Sequence, residues 1–236
     1  MLNFILATND FDEAIDLLIN DFPYAIWETL YSTIISTLLA VIIGLPLGIL
    51  LVVGEKNNIL PLPKPVLTIL NWLINIFRSI PFIILMILVL PLSKLIVGTK
   101  VGTIATIVPL VIAAFPFIAR LVESSVREIN PNTIEAALSM GASPLQIIIH
   151  VLIPESLPSL ISNITIAFTT ILGYTAMSGA VGGGGLGRIA ISYGYLRFNT
   201  PAMILAVLFI VVLVIIFQGL GTFISKKIDR RIKNKA

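Results

Sequence analysis

The chain contains no cysteine, one histidine and little charge, since Asp, Glu, Lys and Arg make up 11% of its 236 residues. The absence of cysteine excludes a disulfide framework, a thiolate zinc site and an iron–sulfur cluster. His150 alone leaves little for a histidine metal site or a catalytic triad, so no catalytic and no metal-binding residue is predicted. A soluble domain averages about 25% charged residues. The composition therefore excludes a secreted mini-protein, a zinc-dependent nucleic-acid binder and most soluble enzymes.

Apolar residues make up 57% of the chain and are grouped in long stretches without charge. A helix rises 1.5 Å per residue and needs about 20 residues to cross a hydrocarbon layer about 30 Å thick. Four charge-free stretches reach that length, and a fifth contains a single arginine. We therefore predict an all-α membrane protein with five transmembrane helices, at Thr29–Gly54, Pro65–Ser93, Val101–Ala119, Ser156–Gly187 and Phe198–Ser225.

The two ends of the chain carry opposite charge. Residues 1–30 contain Asp and Glu but no Lys or Arg, whereas residues 226–236 are strongly basic. The positive-inside rule places such a basic tail in the cytoplasm, and an odd number of spans then puts the N-terminus outside. We expect an acidic external segment over residues 1–24, with an interfacial helix over 9–21 capped by Asp10. The basic charge is explained by the membrane, and no nucleic-acid partner is expected.

Arg78 is the one charge inside the second predicted span. A charge near mid-membrane costs about 2.5 to 3.5 kcal/mol on insertion scales and usually faces protein or water. Pro81 follows closely and breaks or kinks a helix. Arg78 either is a structural cation held by carbonyl groups of a broken helix or lies beside a translocation path. Pro81 either kinks the helix for packing or shapes that path.

Residues 131–154, between the third and fourth spans, are no longer a continuous apolar stretch but contain several signals for helix ends and helix starts. Asn130-Pro131 ends the preceding helix, Asn132 with Glu135 forms a possible capping box, and Gly141 can end the new helix in a left-handed conformation. Ser143-Pro144 then starts another helix, which we expect to end at Pro154. Two short cytoplasmic helices with apolar anchors either dock into a groove of a partner protein or lie as amphipathic helices at the membrane interface without a partner.

The same residues carry a long motif: Glu135-Ala136-Ala137, Gly141 four residues on, and Val151, Ile153 and Pro154 at its end. This frame closely resembles the EAA motif of the membrane subunits of ABC importers, with Val151 and Ile153 as conservative departures. The resemblance implies a coupling helix that inserts into a cytoplasmic ATPase. It assigns ATPase coupling to five residues, Glu135, Ala136, Ala137, Gly141 and Pro154.

Stretches around Arg78 and Pro81, over 108–120 and over 173–187 are similar to permease subunits of bacterial methionine importers. The similarity runs from about Trp27 to the end of the fifth span. It implies an ABC importer type I permease domain over 25–225 in the bacterial cytoplasmic membrane. It also implies a homodimer, two ATP-binding subunits on the cytoplasmic side and an external substrate-binding lipoprotein. ATP would be bound by the partner ATPase, and no cofactor is expected on this chain.

A glycine run follows the fourth span, at Gly182, Gly183, Gly184 and Gly185. It is not a P-loop, because no Lys-Ser/Thr follows. It is either a tight external turn or a flexible gate or landing surface for the binding protein. Tyr174 and Met177 precede it, and a thioether or an aromatic ring would suit contact with a methionine side chain. Otherwise Met177 serves packing.

Three functions stay open at this point. The first is a non-enzymatic permease subunit that translocates methionine. The second is the same architecture with another cargo, such as another amino acid, a quaternary amine or a phosphonate. The third, a channel or an intramembrane enzyme, is disfavoured because the spans contain no charged rings, no paired carboxylates and no Ser/His pair.

Overall fold

The structure is a computed structural model that describes residues 2–56 and 58–229, with side chains described from residue 10 onward. All regular structure within those residues is helical, which confirms the all-α prediction. The α-helices are α1 Leu2–Asn20, α2 Phe22–Val53, α3 Lys64–Ser79, α4 Phe82–Val97, α5 Thr103–Arg127, α6 Pro131–Ser139, α7 Pro144–Ile147, α8 Ile153–Ser178, α9 Gly185–Arg188 and α10 Thr200–Ile228.

Four helical runs in the described part of the chain are long and apolar enough to cross a membrane. Together with the pair α3 and α4, taken as one broken span, they make five. The number of spans agrees with the sequence, although their bounds shift. The first begins at Phe22 rather than Thr29, so that Glu28 lies inside it. The four runs are Phe22–Val53, Thr103–Arg127, Pro144–Val181 and Thr200–Ile228.

The predicted continuous span Pro65–Ser93 is wrong in one respect, because it consists of two helices. α3 ends at Ser79, and α4 begins at Phe82 after a bend of 108°. Ile80 is extended, with φ −82° and ψ 125°, because the ring of Pro81 disfavours a helical conformation in the residue before it. The proline also lacks the N–H that would continue the helix.

The predicted interfacial helix at the N-terminus also differs in its start. α1 begins at Leu2, so Asp10 lies within the helix and does not cap it. Neither proline nor glycine interrupts residues 2–20, and the helix therefore runs past the expected cap. The predicted basic tail over 226–236 lies mostly outside the described residues; Lys226 and Lys227 are the last cations of α10.

The chain divides into two compact units. The first comprises residues 1–38, 81–113 and 168–217, and the second comprises 39–80, 114–167 and 218–236. In the first unit α1 is built into the core rather than hanging free. Its Ala14 and Leu17 are buried in one cluster with Phe22, Leu186 and Ile189.

The second unit is organised by close packing of α2 on α5. A Cβ atom on Gly44 would lie 2.9 Å from the Phe115 carbonyl oxygen, and one on Gly48 would lie 2.6 Å from Val122 Cβ. Small residues allow such close approach of two helices in a membrane. Gly44 and Gly48 are therefore a packing pair. Beside this contact, Leu51 and Ala119 bury Ile74 of α3.

Candidate functional site

The segment 131–154 begins with a capped helix. The side chain of Asn130 accepts a hydrogen bond from the Asn132 N–H at 3.0 Å, and Pro131 is the first helical residue. The prediction that Asn132 caps this helix is therefore wrong by two residues. Proline is favoured at the first helical position, where no N–H is needed, which moves the cap to the residue before it.

Gly141 ends α6 as predicted, in the left-handed conformation with φ +79°. Its N–H donates to the Leu138 carbonyl at 2.9 Å, and the Ala142 N–H donates to the Ala137 carbonyl at 3.1 Å. These two bonds form a Schellman motif, which satisfies carbonyl groups left open at a helix end. A Cβ at Gly141 would meet no atom within 4 Å. The glycine is therefore required by the backbone conformation and not by crowding.

The next helix starts where predicted. Ser143 caps it in a reciprocal capping box with Gln146, and the Ser143 N–H donates to Gln146 Oε1 at 2.8 Å. The prediction that this helix ends at Pro154 is wrong. A π-helical turn over Ile148–Leu152 joins α7 to α8, and the run from Pro144 to Val181 is continuous. A wide turn of this kind accommodates a proline within a membrane helix.

The turn between α6 and α7 presents a ridge of exposed apolar side chains. Met140 is 80% exposed, and Leu138, Leu145 and Ile149 are exposed as well. Ala137 is the buried residue of α6. Glu135 is exposed and lines a groove of about 630 Å³ together with Glu55 and Arg127. Of the predicted coupling residues, Glu135, Ala136 and Gly141 are exposed in α6 and at its end, whereas Ala137 is buried and Pro154 lies further along the chain in α8.

The glycine run forms a sharp turn after α8. The helix ends at Ser178, nine residues before the predicted end, and a short 3₁₀ segment leads to Gly182 with φ +84°. Gly185 has φ +75°. Only glycine adopts such conformations without strain. The Gly182 carbonyl accepts a hydrogen bond from the Gly102 N–H at 2.8 Å, which fixes the turn to the start of α5.

Glu28 holds this glycine loop, which we define as Gly182–Gly185. Glu28 is only 8% exposed. One of its oxygens accepts from the Thr103 hydroxyl at 2.6 Å, and the other accepts from the Gly185 N–H at 2.8 Å. A Cβ at Gly184 would clash with Thr103 Oγ1 and would lie 2.6 Å from Glu28 Oε2. The loop is thus seated on a buried carboxylate.

Glu28 and Thr29 are functional candidates that the sequence did not identify. Thr29 supports the same loop, because its hydroxyl accepts from the Leu186 N–H at 2.9 Å. Glu28 lies between the predicted acidic segment 1–24 and the charge-free stretch that begins at Thr29, and the sequence therefore assigned it no role. An acidic residue in the first turns of a span, followed by threonine, is the signal that could have found it.

The aromatic candidate Tyr174 makes a defined contact. Its ring stacks on Phe82 with a centroid distance of 4.3 Å and an interplanar angle of 4°. Phe82 is the first residue of α4 and follows Pro81 directly. The structure therefore brings the start of the second half of the broken span to the same place as Tyr174. Met177 lies one turn further along α8 and is 51% exposed.

Arg78 lies in the last turn of α3 and not in the middle of an uninterrupted helix. There a cation interacts favourably with the helix C-terminus. Its side chain is exposed, and we find no hydrogen-bond or ion-pair partner for it among residues 10–56 and 58–229. The predicted stabilisation by carbonyl groups of a broken helix is therefore not seen in this part of the chain.

Comparison with known proteins gives a family. Residues 44–233 match the family model described as "Binding-protein-dependent transport system inner membrane component". The chain belongs to this family. The matched region contains the segment 131–154, the broken span and the glycine loop, whereas Glu28 lies outside it. Family membership confirms the prediction of a multi-pass membrane transport component that is not itself an enzyme.

Two individual relatives are named as permease proteins of methionine transport systems. The chain is 45% identical to the "Probable D-methionine transport system permease protein MetI" of Vibrio cholerae, over 92% of this chain and 94% of the relative. It is 48% identical to the "Methionine import system permease protein MetP" of Bacillus subtilis, over 88% of this chain and 93% of the relative.

A solved structure supports the fold. An inward-facing structure of the MetNI methionine ABC transporter contains a chain that is 45% identical, with a TM-score of 0.84. The match covers 86% of this chain and 94% of that one. The predicted type I permease fold of ABC importers is confirmed by this likeness.

Proposed function

We propose that this inner membrane component is the membrane-spanning permease subunit of an ATP-driven importer for methionine. The observation that carries the proposal is the 131–154 segment, whose predicted motif residues lie at a capped turn with an exposed apolar ridge. The methionine transporters among its relatives, which match nearly its full length, support methionine as the cargo.

In this proposal the ridge of Leu138, Met140, Leu145 and Ile149 docks into a cleft of a cytoplasmic ATP-binding subunit. Glu135, Ala136, Ala137 and Gly141 shape the docking turn, and Pro154 marks its junction with the span. Two copies of the permease with two ATPases form the complex, because two-fold symmetry is the commonest way to close an assembly. ATP is bound by those partners, and an external lipoprotein delivers the substrate.

The first unit contains all of our candidates for the translocation path except Arg78, which belongs to the second unit. Pro81 sets the helix break, and Phe82 stacks on Tyr174 directly behind it. We propose that Tyr174 and Met177 line the path and that the glycine loop forms its external gate or the landing surface for the lipoprotein. Arg78 is a separate candidate for the path, because it is a charged residue exposed at the end of α3.

Uptake of labelled methionine tests this function. The chain is reconstituted into proteoliposomes with its cognate ATPase and binding protein. We expect ATP-dependent uptake that excess unlabelled methionine abolishes. Competition by quaternary amines, phosphonates or other amino acids, without competition by methionine, would give another cargo and contradict the proposal.

A coupling variant tests the docking turn in the same system. Glu135→Arg places a cation on the groove and beside the ridge, and we expect loss of ATPase association with normal membrane insertion. Glu128→Arg makes the same charge reversal at an exposed residue just after α5 that does not line the groove, and it serves as the control. A fully coupled complex with Glu135→Arg would argue against the docking role.

A further inference from the structure

One face of α5 carries three charged residues that the motifs leave unexplained. Arg120, Glu123 and Arg127 follow one another at spacings of three and four, so their side chains lie on the same side of the helix. Arg120 donates to Glu123 at 2.6 Å, and Arg127 Nη2 donates to the same carboxylate at 2.9 Å. The Glu123 side chain is 13% exposed. These residues form an unbroken ion-pair chain along the helix.

At one end of this ion-pair network, Arg120 contacts α3. Arg120 Nη2 donates to Asn71 Oδ1 at 2.8 Å and to Asn75 Oδ1 at 3.0 Å. Both asparagines lie one turn apart on α3, and Asn75 is close to the break at Ile80-Pro81. The planar guanidinium thus contacts Glu123 and both amides at once, a geometry that lysine cannot reproduce.

The other end of the ion-pair network lies in the groove that Glu135 also lines. Arg127 pairs with Glu55, whose Oε1 lies 2.5 Å from Nη2. Glu55 belongs to the loop that follows α2. Glu55, Arg127 and Glu135 line the same groove. The ion-pair network therefore extends from α3, in the broken span, to the groove that Glu135 lines.

Apolar contacts already attach α3 to this unit without the polar residues. Ile74 is buried against Leu51 and Ala119, and the Phe77 and Phe115 rings lie 5.9 Å apart. Ion pairs with exposed partners, such as Arg127 and Glu55 here, contribute about 0 to 1 kcal/mol, whereas the N–H donors of an arginine add geometric specificity. The chain of charges is therefore better suited to set the position of α3 along α5 than to hold the helices together.

We propose that the ion-pair chain Glu55–Arg127–Glu123–Arg120–Asn71/Asn75, hereafter the α5 relay, transmits movement of the docking turn to the broken span. Arg120 is its positioning residue. This inference rests on the proposed function, since it requires an ATPase that moves the turn. When the turn moves, Arg127 and Glu55 shift together, Glu123 follows, and the fork of Arg120 carries α3 and the helix break with it.

The experiment uses the complete transporter in proteoliposomes. Arg120→Gln removes the guanidinium group that joins Glu123 to Asn71 and Asn75 in the relay. We expect near-normal ATP hydrolysis and a fall of about tenfold in methionine imported per ATP, the size of a typical coupling between two sites. Asn71→Leu with Asn75→Leu breaks the relay at α3 but keeps the Arg120–Glu123 pair. We expect the same fall, and the triple variant should be no worse, because both changes cut one linkage.

A second readout is independent of the cargo. The chain has no cysteine, so Thr133→Cys on α6 and Trp72→Cys on α3 can be spin-labelled without background. In the otherwise unchanged chain we expect the distance between the labels to change on addition of a non-hydrolysable ATP analogue. Arg120→Gln should abolish that change. Arg197→Gln, which removes an exposed arginine 3.6 Å from Glu13, is the control and should leave both readouts unchanged.

The two proposals fail in different ways. If the unsubstituted complex neither imports methionine nor responds to the nucleotide, the proposed function is overturned. If it does both and Arg120→Gln keeps the normal transport ratio and distance change, the relay is overturned. A parallel loss of ATPase activity, transport and melting temperature in the Arg120 and asparagine variants would show a purely structural role and would also overturn it.

Discussion

Glu28 is the residue whose surroundings most change the interpretation of this chain. A carboxylate placed in a membrane helix is costly unless it is satisfied. Here each oxygen has a donor, Thr103 on one side and the Gly185 N–H on the other. The glycine loop is consequently held in place by a charged anchor, which limits the freedom that its composition suggests.

The isosteric change Glu28→Gln tests this anchor. The new side chain can keep both contacts, because its amide oxygen can accept from the Gly185 N–H and its NH₂ group can donate to the Thr103 hydroxyl, but neither bond is then assisted by a negative charge. We expect a loss of about 2 kcal/mol in unfolding free energy, the usual scale for a hydrogen bond to a charged group. Hydrogen exchange over residues 182–187 should become faster.

Asp12→Asn is the matched control, because Asp12 is an exposed acid of α1. It should change neither the unfolding free energy nor the exchange of the loop. Equal exchange rates in Glu28→Gln and the unsubstituted chain would show that the carboxylate does not anchor the loop.

Single-residue features were predictable where local chemistry decides them. Gly141 and Ser143 act as expected, since a left-handed helix end and a serine cap depend on adjacent backbone groups alone. The cap at Asn130 was missed by two residues because Pro131 competes for the first helical position. The role of Glu28 depends on Gly185, 157 residues away, and local sequence carries no information on such a contact.

At the scale of elements, the packing of α2 on α5 depends on two glycines. A Cβ at Gly48 would be 2.8 Å from Val122 Cγ1 and would clash with the Ala119 carbonyl oxygen. The helices can approach only because that volume is empty. This α2–α5 contact lies next to the residues of the α5 relay, and it sets the position of α5.

We expect Gly48→Ala to lower the free energy of unfolding by about 2 kcal/mol, as overpacking of a tight contact does. Gly219→Ala on α10 is the control, because a Cβ there would meet nothing within 4 Å. It should be neutral or slightly stabilising, since alanine favours the helix over glycine. Detergent-solubilised protein titrated with a denaturant gives both values. Equal stability of the two variants would contradict the packing role.

The elements themselves were largely predictable, because long apolar runs can only be buried or placed in lipid as helices. The two errors have a common cause. Pro81 broke a helix that hydropathy alone treated as continuous, and Pro154 failed to end one because a π-helical turn accommodates it. Whether a proline interrupts a membrane helix depends on the neighbouring backbone, which composition does not reveal.

At the scale of the whole molecule, the charge asymmetry predicts the direction of insertion. The zero-cysteine background allows a direct test. In intact cells a membrane-impermeant maleimide should label Asp12→Cys, on the exposed face of α1, and should label Lys227→Cys only after permeabilisation. The physical reason is that basic residues next to a span are retained in the cytoplasm. The reverse labelling pattern would invert the orientation and place the docking turn outside.

The continuity of the helix from Pro144 to Val181 has a mechanical consequence. At 1.5 Å per residue its 38 residues make a rod about 57 Å long, against a hydrocarbon layer about 30 Å thick. Leu145 and Ile149 thus lie on the part of this helix that extends beyond the bilayer, and no loop separates them from the membrane-spanning part. A lateral force on the Leu145 end therefore tilts the membrane-spanning part as well, and a tilt of a few degrees displaces the opposite end of the helix by several ångströms.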